Sequence, residues 1–119
     1  MSVDLRGRRV IETVTVTLTR TPINATLIGN TTIITPAAGR RLRLHLFILV
    51  NNGAAVNRAG LRFGAAGTIN FRGDLAADGG TRAMNLIDAE VEGAADEALI
   101  VNLDAAGDID VTVVTEEFT

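Results

Sequence analysis

The sequence predicts an all-β protein, an antiparallel β-sandwich of about eight strands with an extended N-terminal arm. Three observations carry this. Short segments rich in Val, Ile, Leu and Thr alternate apolar and polar side chains with period two, as half-buried strands do. Gly, Asp, Asn and Ala clusters interrupt them every 8–15 residues or so, the spacing of sandwich turns. No segment sustains a helical period over about 11 residues.

Taken in order, the first strand signal is Val10–Arg20, where Val10, Val14, Val16 and Leu18 fall on one face and Thr13, Thr15, Thr17 and Thr19 on the other. Pro22 is expected to end it. A short strand follows at about Thr31–Thr35, after the Gly29-Asn30 turn. The turn Pro36-Ala-Ala-Gly39 feeds the longest strand, Arg41–Asn51, in which Leu42, Leu44, Leu46, Ile48 and Val50 are expected to share a face. Arg41, Arg43 and His45 begin the opposite face, which turns apolar at Phe47 and Leu49. Asn52-Gly53 suits a tight turn. Further strands are expected at Val56–Phe63, Thr68–Arg72, Ala83–Val91, Leu99–Asp104 and Ile109–Glu116. Residues 1–30 are read as the arm and first strand, since termini are often loosely attached, and residues 31–119 as the sandwich.

Composition narrows the function classes. The 119 residues suit one domain large enough to bury its own core. Cysteine is absent, which removes disulfides, thiol nucleophiles and thiolate metal sites. Trp and Tyr are absent too, so the core must be aliphatic, helped by Phe47, Phe63, Phe71 and Phe118. The charged N-terminus does not read as a signal peptide, and no apolar run approaches the roughly 18 residues of a membrane span. The chain is therefore expected to be soluble, with no membrane partner. All 11 basic residues are arginine. Ten of them lie in residues 1–72 against Asp4 and Glu12, whereas residues 73–119 hold Arg82 against twelve acids. Either the halves interleave and pair internally, or the molecule carries one basic and one acidic face that favours head-to-tail contacts between copies. The second is preferred.

No motif carries catalysis. His45 is the only histidine and Ser2 the only serine, so a Ser-His-Asp triad would need the N-terminus to supply its nucleophile. Asp88, Glu90 and Glu92, at i, i+2 and i+4, would share one face of a strand, as a solvated face or a dock for a partner's arginines. Asp104, Asp108 and Asp110 cluster around a turn and could ligate calcium, although their spacing is not that of an EF-hand. Arg72-Gly73-Asp74 is read as a turn after a strand. The sequons at Asn24 and Asn30 are read as coincidental. The basic clusters, Arg6, Arg8 and Arg9 with Arg40, Arg41 and Arg43, lack interleaved aromatics in a chain of pI about 5.0. They point to an acidic protein surface and not to nucleic acid.

Three stretches carry a family resemblance. They are Thr35-Pro-Ala-Ala-Gly-Arg-Arg-Leu-Arg-Leu, Leu61-Arg-Phe-Gly-Ala-Ala-Gly-Thr, and the run from Ala94 through Asp104-Ala-Ala-Gly-Asp108 to Glu117. From Thr35 onward the chain resembles small β-sandwich modules common in tailed-phage and prophage structural genes. It has Val114-Thr-Glu where that family often has a tyrosine. The resemblance implies a jelly-roll-like sandwich that assembles as a homotrimer or another cyclic oligomer on a virion, with no active site and no cofactor. The expected role is capsid decoration (cement), with the major capsid protein or another virion protein as partner and the outer capsid surface as location, the chain being made in the host cytoplasm. Partner-contact candidates are Arg6, Arg8, Arg9, Arg40, Arg41, Asp88, Glu90 and Glu92. The alternatives are a tail, baseplate or host-attachment module, and a calcium- or carbohydrate-binding sandwich. Sugar binding would have to do without the Trp or Tyr platform it usually uses.

Overall fold

In a computed structural model, which describes residues 2–3, 9–10, 16–86 and 89–119, every described element is a strand. The two-residue strands β1 (Ser2–Val3) and β2 (Arg9–Val10) pair with each other. β3 (Leu18–Ala25), β4 (Gly29–Ile34), β5 (Arg41–Asn51), β6 (Asn57–Phe63), β7 (Asn70–Leu75), β8 (Gly80–Asn85), β9 (Val91–Glu92), β10 (Leu99–Leu103) and β11 (Ile109–Phe118) then form two antiparallel sheets. One runs β3-β11-β5-β8, with β9 also paired to β5; the other runs β4-β10-β6-β7. The chain changes sheet at every connection from β3 onward except β6–β7 and β8–β9. This is the interleaved order of a jelly roll, eight strands if β8 and β9 count as one interrupted strand. The sandwich expectation holds. Of the arm and first strand expected at residues 1–30, residues 1, 4–8 and 11–15 are outside the described ones, and Leu18–Ala25 form β3 of the sandwich.

The core is aliphatic, as composition requires. β10 supplies Leu99, Val101 and Leu103, and β6 supplies Ala59, Leu61 and Phe63. From the facing sheet come Ile109, Val111 and Val113 of β11 and Leu42, Leu44, Phe47 and Leu49 of β5. Phe71 of β7 packs its ring against Phe47 at 4.9 Å.

β5 departs from the expected unbroken alternation. Its pairing with β11 steps from Leu46↔Val114 to Leu44↔Thr115, leaving His45 without a partner position. One extra residue in one strand is a β-bulge, and it inverts the alternation beyond it. Leu42 and Leu44 face inward before the bulge; Phe47, Leu49 and Asn51 face inward after it. Leu46, Ile48 and Val50, expected to share a face with Leu42 and Leu44, are on the outside.

The bulge also splits the strand expected at Ala83–Val91. β8 pairs with Leu46–Asn51 and β9 with Arg43 and Leu44, while Leu86 N–H donates to the His45 carbonyl where they part. Asp88, Glu90 and Glu92 therefore do not share one strand: Glu92 lies in β9, Glu90 precedes it, and Asp88 is outside the described residues.

Two further boundaries move. Pro22 lies inside β3 and does not end it. β3 is an edge strand with β11 on one side only, so a residue without N–H costs no ladder bond on the open side. Val16 and Leu18, expected to be half-buried, are exposed; of the rest of that face, Val10 lies in β2 and Val14 is outside the described residues. Arg72-Gly73-Asp74 is part of β7 and not a turn after it.

Candidate partner-contact surfaces

At one end of the sandwich, β5 begins beside the end of β11, and strand alternation points Arg43 and His45 to the same outer side. Arg43 donates to Glu92 and to Glu116, both at 3.0 Å. His45 Nε2–H donates to the same Glu116 oxygen at 2.8 Å, and its Nδ1 stands 3.7 Å from Glu90. Arg41 donates to the Gly93 carbonyl at 2.8 Å and pairs with Glu92 at 3.4 Å. Both guanidinium groups lie over the Phe118 ring, 5.0 Å from its centroid for Arg41 and 4.2 Å for Arg43. The hydrogen bond from His45, joined by that from Arg43, holds the Glu116 carboxyl below its ordinary range against the opposing effect of burial. The cluster clasps β5, β9 and β11 together.

The loops at this end are tied by acids. Glu117 accepts from Ala37 N–H, Asp96 from Gly39 N–H and Glu97 from Ala94 N–H. Arg40 donates to the Glu117 carbonyl at 3.2 Å. The candidates Arg40, Arg41, Glu90 and Glu92 are thus brought to one end and largely engaged with the chain's own groups. Arg6, Arg8 and Asp88 are outside the described residues, and Arg9 lies in β2.

All the ion pairs among the described residues, and the two His45 contacts, join a base in residues 1–72 to an acid in residues 73–119. Arg58–Asp74 and Arg72–Asp104 complete the set. The strands of the two halves are neighbours in both sheets, and Arg41, Arg43, Arg58 and Arg72 pair with acids of the other half, so internal pairing, the alternative to separate basic and acidic faces, takes up this part of the charge asymmetry.

The opposite end gathers the β3–β4, β5–β6 and β10–β11 loops. Two buried asparagines fix them. Asn51 donates to the carbonyls of Ala55 and Leu75 and accepts from Gly53 N–H, and Asn57 exchanges hydrogen bonds with both backbone groups of Ala105. The loops present apolar tips: Leu27 is 67% exposed, Ile28 68% and Val56 62%. Ala54, Ala55, Ala105 and Ala106 are exposed beside them. The sequence reading missed this patch. Its one signal was Leu27-Ile28 standing as a pair just before the Gly29 turn instead of alternating with polar residues.

The aspartates considered for calcium lie at this end but do not converge. Asp104 is taken by Arg72, while Asn24 Nδ2 donates to both Asp108 (2.6 Å) and Asp110 (2.9 Å), and Asn52 donates to Asp110 at 2.7 Å. An amide donor thus occupies the space between the two carboxylates. Among the described residues no three His, Cys, Asp or Glu gather where a metal ion could sit, and no helix is long and apolar enough to cross a membrane.

The third surface is the outer face of the β3-β11-β5-β8 sheet. Pairing registers put Thr112 between Pro22 and Ile48, with Ala83 beyond Ile48; the next row holds Arg20, Val114, Leu46 and Asn85.

No family model and no curated protein matches the sequence. Among solved structures the fold is similar to that of a chain from Bacillus endospore appendages, described as a novel family of disulfide-linked pili, with 13% identity, 88% of each chain covered and a TM-score of 0.52. A weaker likeness, TM-score 0.45 and 10% identity over 93% of this chain and 84% of the other, is to the virus-like particle of the Macrobrachium rosenbergii extra small virus. At these identities the likeness concerns the fold alone.

Proposed function

We propose that this chain is a structural subunit of an assembled particle, acting as a capsid decoration protein that attaches to the outer surface of a shell and to copies of itself. One observation carries the reading. Polar side chains at both ends of the sandwich are spent on internal clasps, while rigidly held apolar loops, Leu27, Ile28 and Val56, are left exposed at one end. Exposed apolar groups held by a stiff scaffold suit a protein–protein contact. The role is non-enzymatic, with a homotrimer and the major capsid protein as partners. Because the chain has no cysteine, its contacts with other copies are not disulfides, unlike the links named for the pilus chain of similar fold.

Light scattering of the purified chain tests the reading first. A discrete oligomer at micromolar concentration is expected, and a monomer there would overturn it. Sedimentation with shells built from the major capsid protein of the same particle tests decoration. Wild type should pellet with the shells, and a variant carrying Leu27→Glu and Ile28→Glu should stay in the supernatant. The likeness to an appendage subunit favours a second reading, a fibre or tail module of the same fold. Electron micrographs separate the two, since that role gives open filaments without shells.

A further inference from the structure

We infer that the outer face of the β3-β11-β5-β8 sheet packs against the same face of a second copy of this chain. The inference rests on the self-association proposed above and adds to its cyclic trimer contact a second, two-fold one that joins such oligomers in pairs.

The bulge at His45 provides the main argument. Without it, the inward phase of Leu42 and Leu44 would carry Leu46, Ile48 and Val50 into the core and turn Phe47 and Leu49 outward. With it, the two sets exchange places, yet the set left outside is as apolar as the one inside. A central strand apolar on both faces is the pattern of a sheet covered on both sides. Single exposed apolar residues need no explanation, but here Leu46, Ile48 and Val50 form one row beside Val114 and Pro22, and Ile48 keeps 36% of its surface exposed.

The composition of the face selects the occupant. Among the described residues, Arg20, on the edge strand, is the one charged residue between the Asp110 row and the Glu116 row. Both acids are already engaged, Asp110 with Asn24 and Asn52, Glu116 with His45 and Arg43. Nucleic acid would require a basic surface. The hollow at the β3–β11 edge of this face, lined by Pro22, Asn24, Asp110 and Thr112, is wide open, whereas a small-ligand site encloses most of its ligand. A twisted antiparallel sheet meets another copy of itself with matching curvature, in the aligned packing of sandwich sheets. Such a same-face contact is closed and two-fold. Four strands about 4.8 Å apart and about eight residues long give a footprint of roughly 500 Å² per copy. Two such faces remove on the order of 1,000 Å² from water, the lower bound for a specific interface.

The test is the mass in solution of wild type, Ile48→Glu and Thr112→Arg, by light scattering on the full chain, with circular dichroism to verify folding. Ile48 and Thr112 point outward, and the two variants sit on different strands, so one reports if the other fails to fold. A twofold fall in mass for a folded variant is the expected result. An oligomeric wild type whose mass is unchanged by both substitutions overturns this interface and leaves self-association standing. A monomeric wild type overturns both.

Discussion

Phe71, Asp78 and Asp96 are the described non-glycine residues at positive φ. The two aspartates sit in turns, where short polar side chains tolerate the left-handed region. Phe71, at φ 57°, does not belong to that class. It lies where β6 pairing jumps from Leu61↔Asn70 to Ala59↔Gly73, so Phe71 and Arg72 together oppose Gly60. The bulge turns the Phe71 ring onto Phe47, and ring packing offsets a backbone cost of about 1–2 kcal/mol. Phe71→Ala loses the ring and keeps the strain; Phe71→Gly loses the ring and relaxes the backbone. Urea melts should therefore rank Phe71→Gly above Phe71→Ala by about 1 kcal/mol, the reverse of the usual order in a strand. Across the same bulge, a Cβ on Gly60 would overlap Ile69 Cγ2 and stand 3.0 Å from the Asn70 carbonyl oxygen. Gly60→Ala should cost about 1–3 kcal/mol in the same assay, and a neutral result would show that β7 can shift away.

At the scale of the element, β5 gives the sharpest test. Straight alternation assigns Leu46 and Ile48 to the core, whereas the bulged register assigns it Phe47 and Leu49. In alanine variants measured under dilute conditions, Phe47→Ala should cost about 3–5 kcal/mol and Leu49→Ala about 2–5. Ile48→Ala should cost about 1 kcal/mol or less. The opposite ranking would return the strand to the unbulged register. This strand also shows what was legible in advance. Its bounds, Arg41–Asn51, follow from an apolar run between turn residues, and β4, β6, β10 and β11 were similarly visible. The position of the bulge was not, because both phases of the strand are apolar and neither betrays which one is inside. Pro22 misled for a related reason: proline excludes a central strand, and only pairing partners reveal that β3 is at an edge. The clasp around Glu116 joins residues 49 to 73 positions apart, so its members were visible singly and their convergence was not. The exposed tips Leu27, Ile28 and Val56 were hidden because short apolar pairs in a loop look like strand ends.

For the whole molecule, jelly-roll interleaving decides how charge acts. β5 and β6, from the basic half, lie against strands of the acidic half, so arginines and carboxylates meet across the sheets. Exposed pairs of this kind contribute little each, and salt screens them. The pH dependence is concentrated in the two acids held in defined networks. Glu116 is kept below its ordinary 4.5 mainly by the His45 hydrogen bond, and Asp110 is kept below 3.8 by donation from Asn24 and Asn52. Both folded-state values lie below the unfolded ones, so the stability they contribute is complete above the ordinary carboxylate range. It is lost as pH falls through that range toward the folded values. In acid the arginines also lose their partners and repel one another. Thermal midpoints of wild type should therefore fall between about pH 5 and about pH 3. In Glu116→Gln the midpoint should start lower at neutral pH and fall less over the same interval, because an amide keeps an acceptor for His45 and Arg43 but has no proton to take up. Parallel acid limbs for the two proteins would mean that the clasp draws no stability from the ionised carboxylate, and the work of joining β5, β9 and β11 would then rest on Phe118 and the backbone ladder.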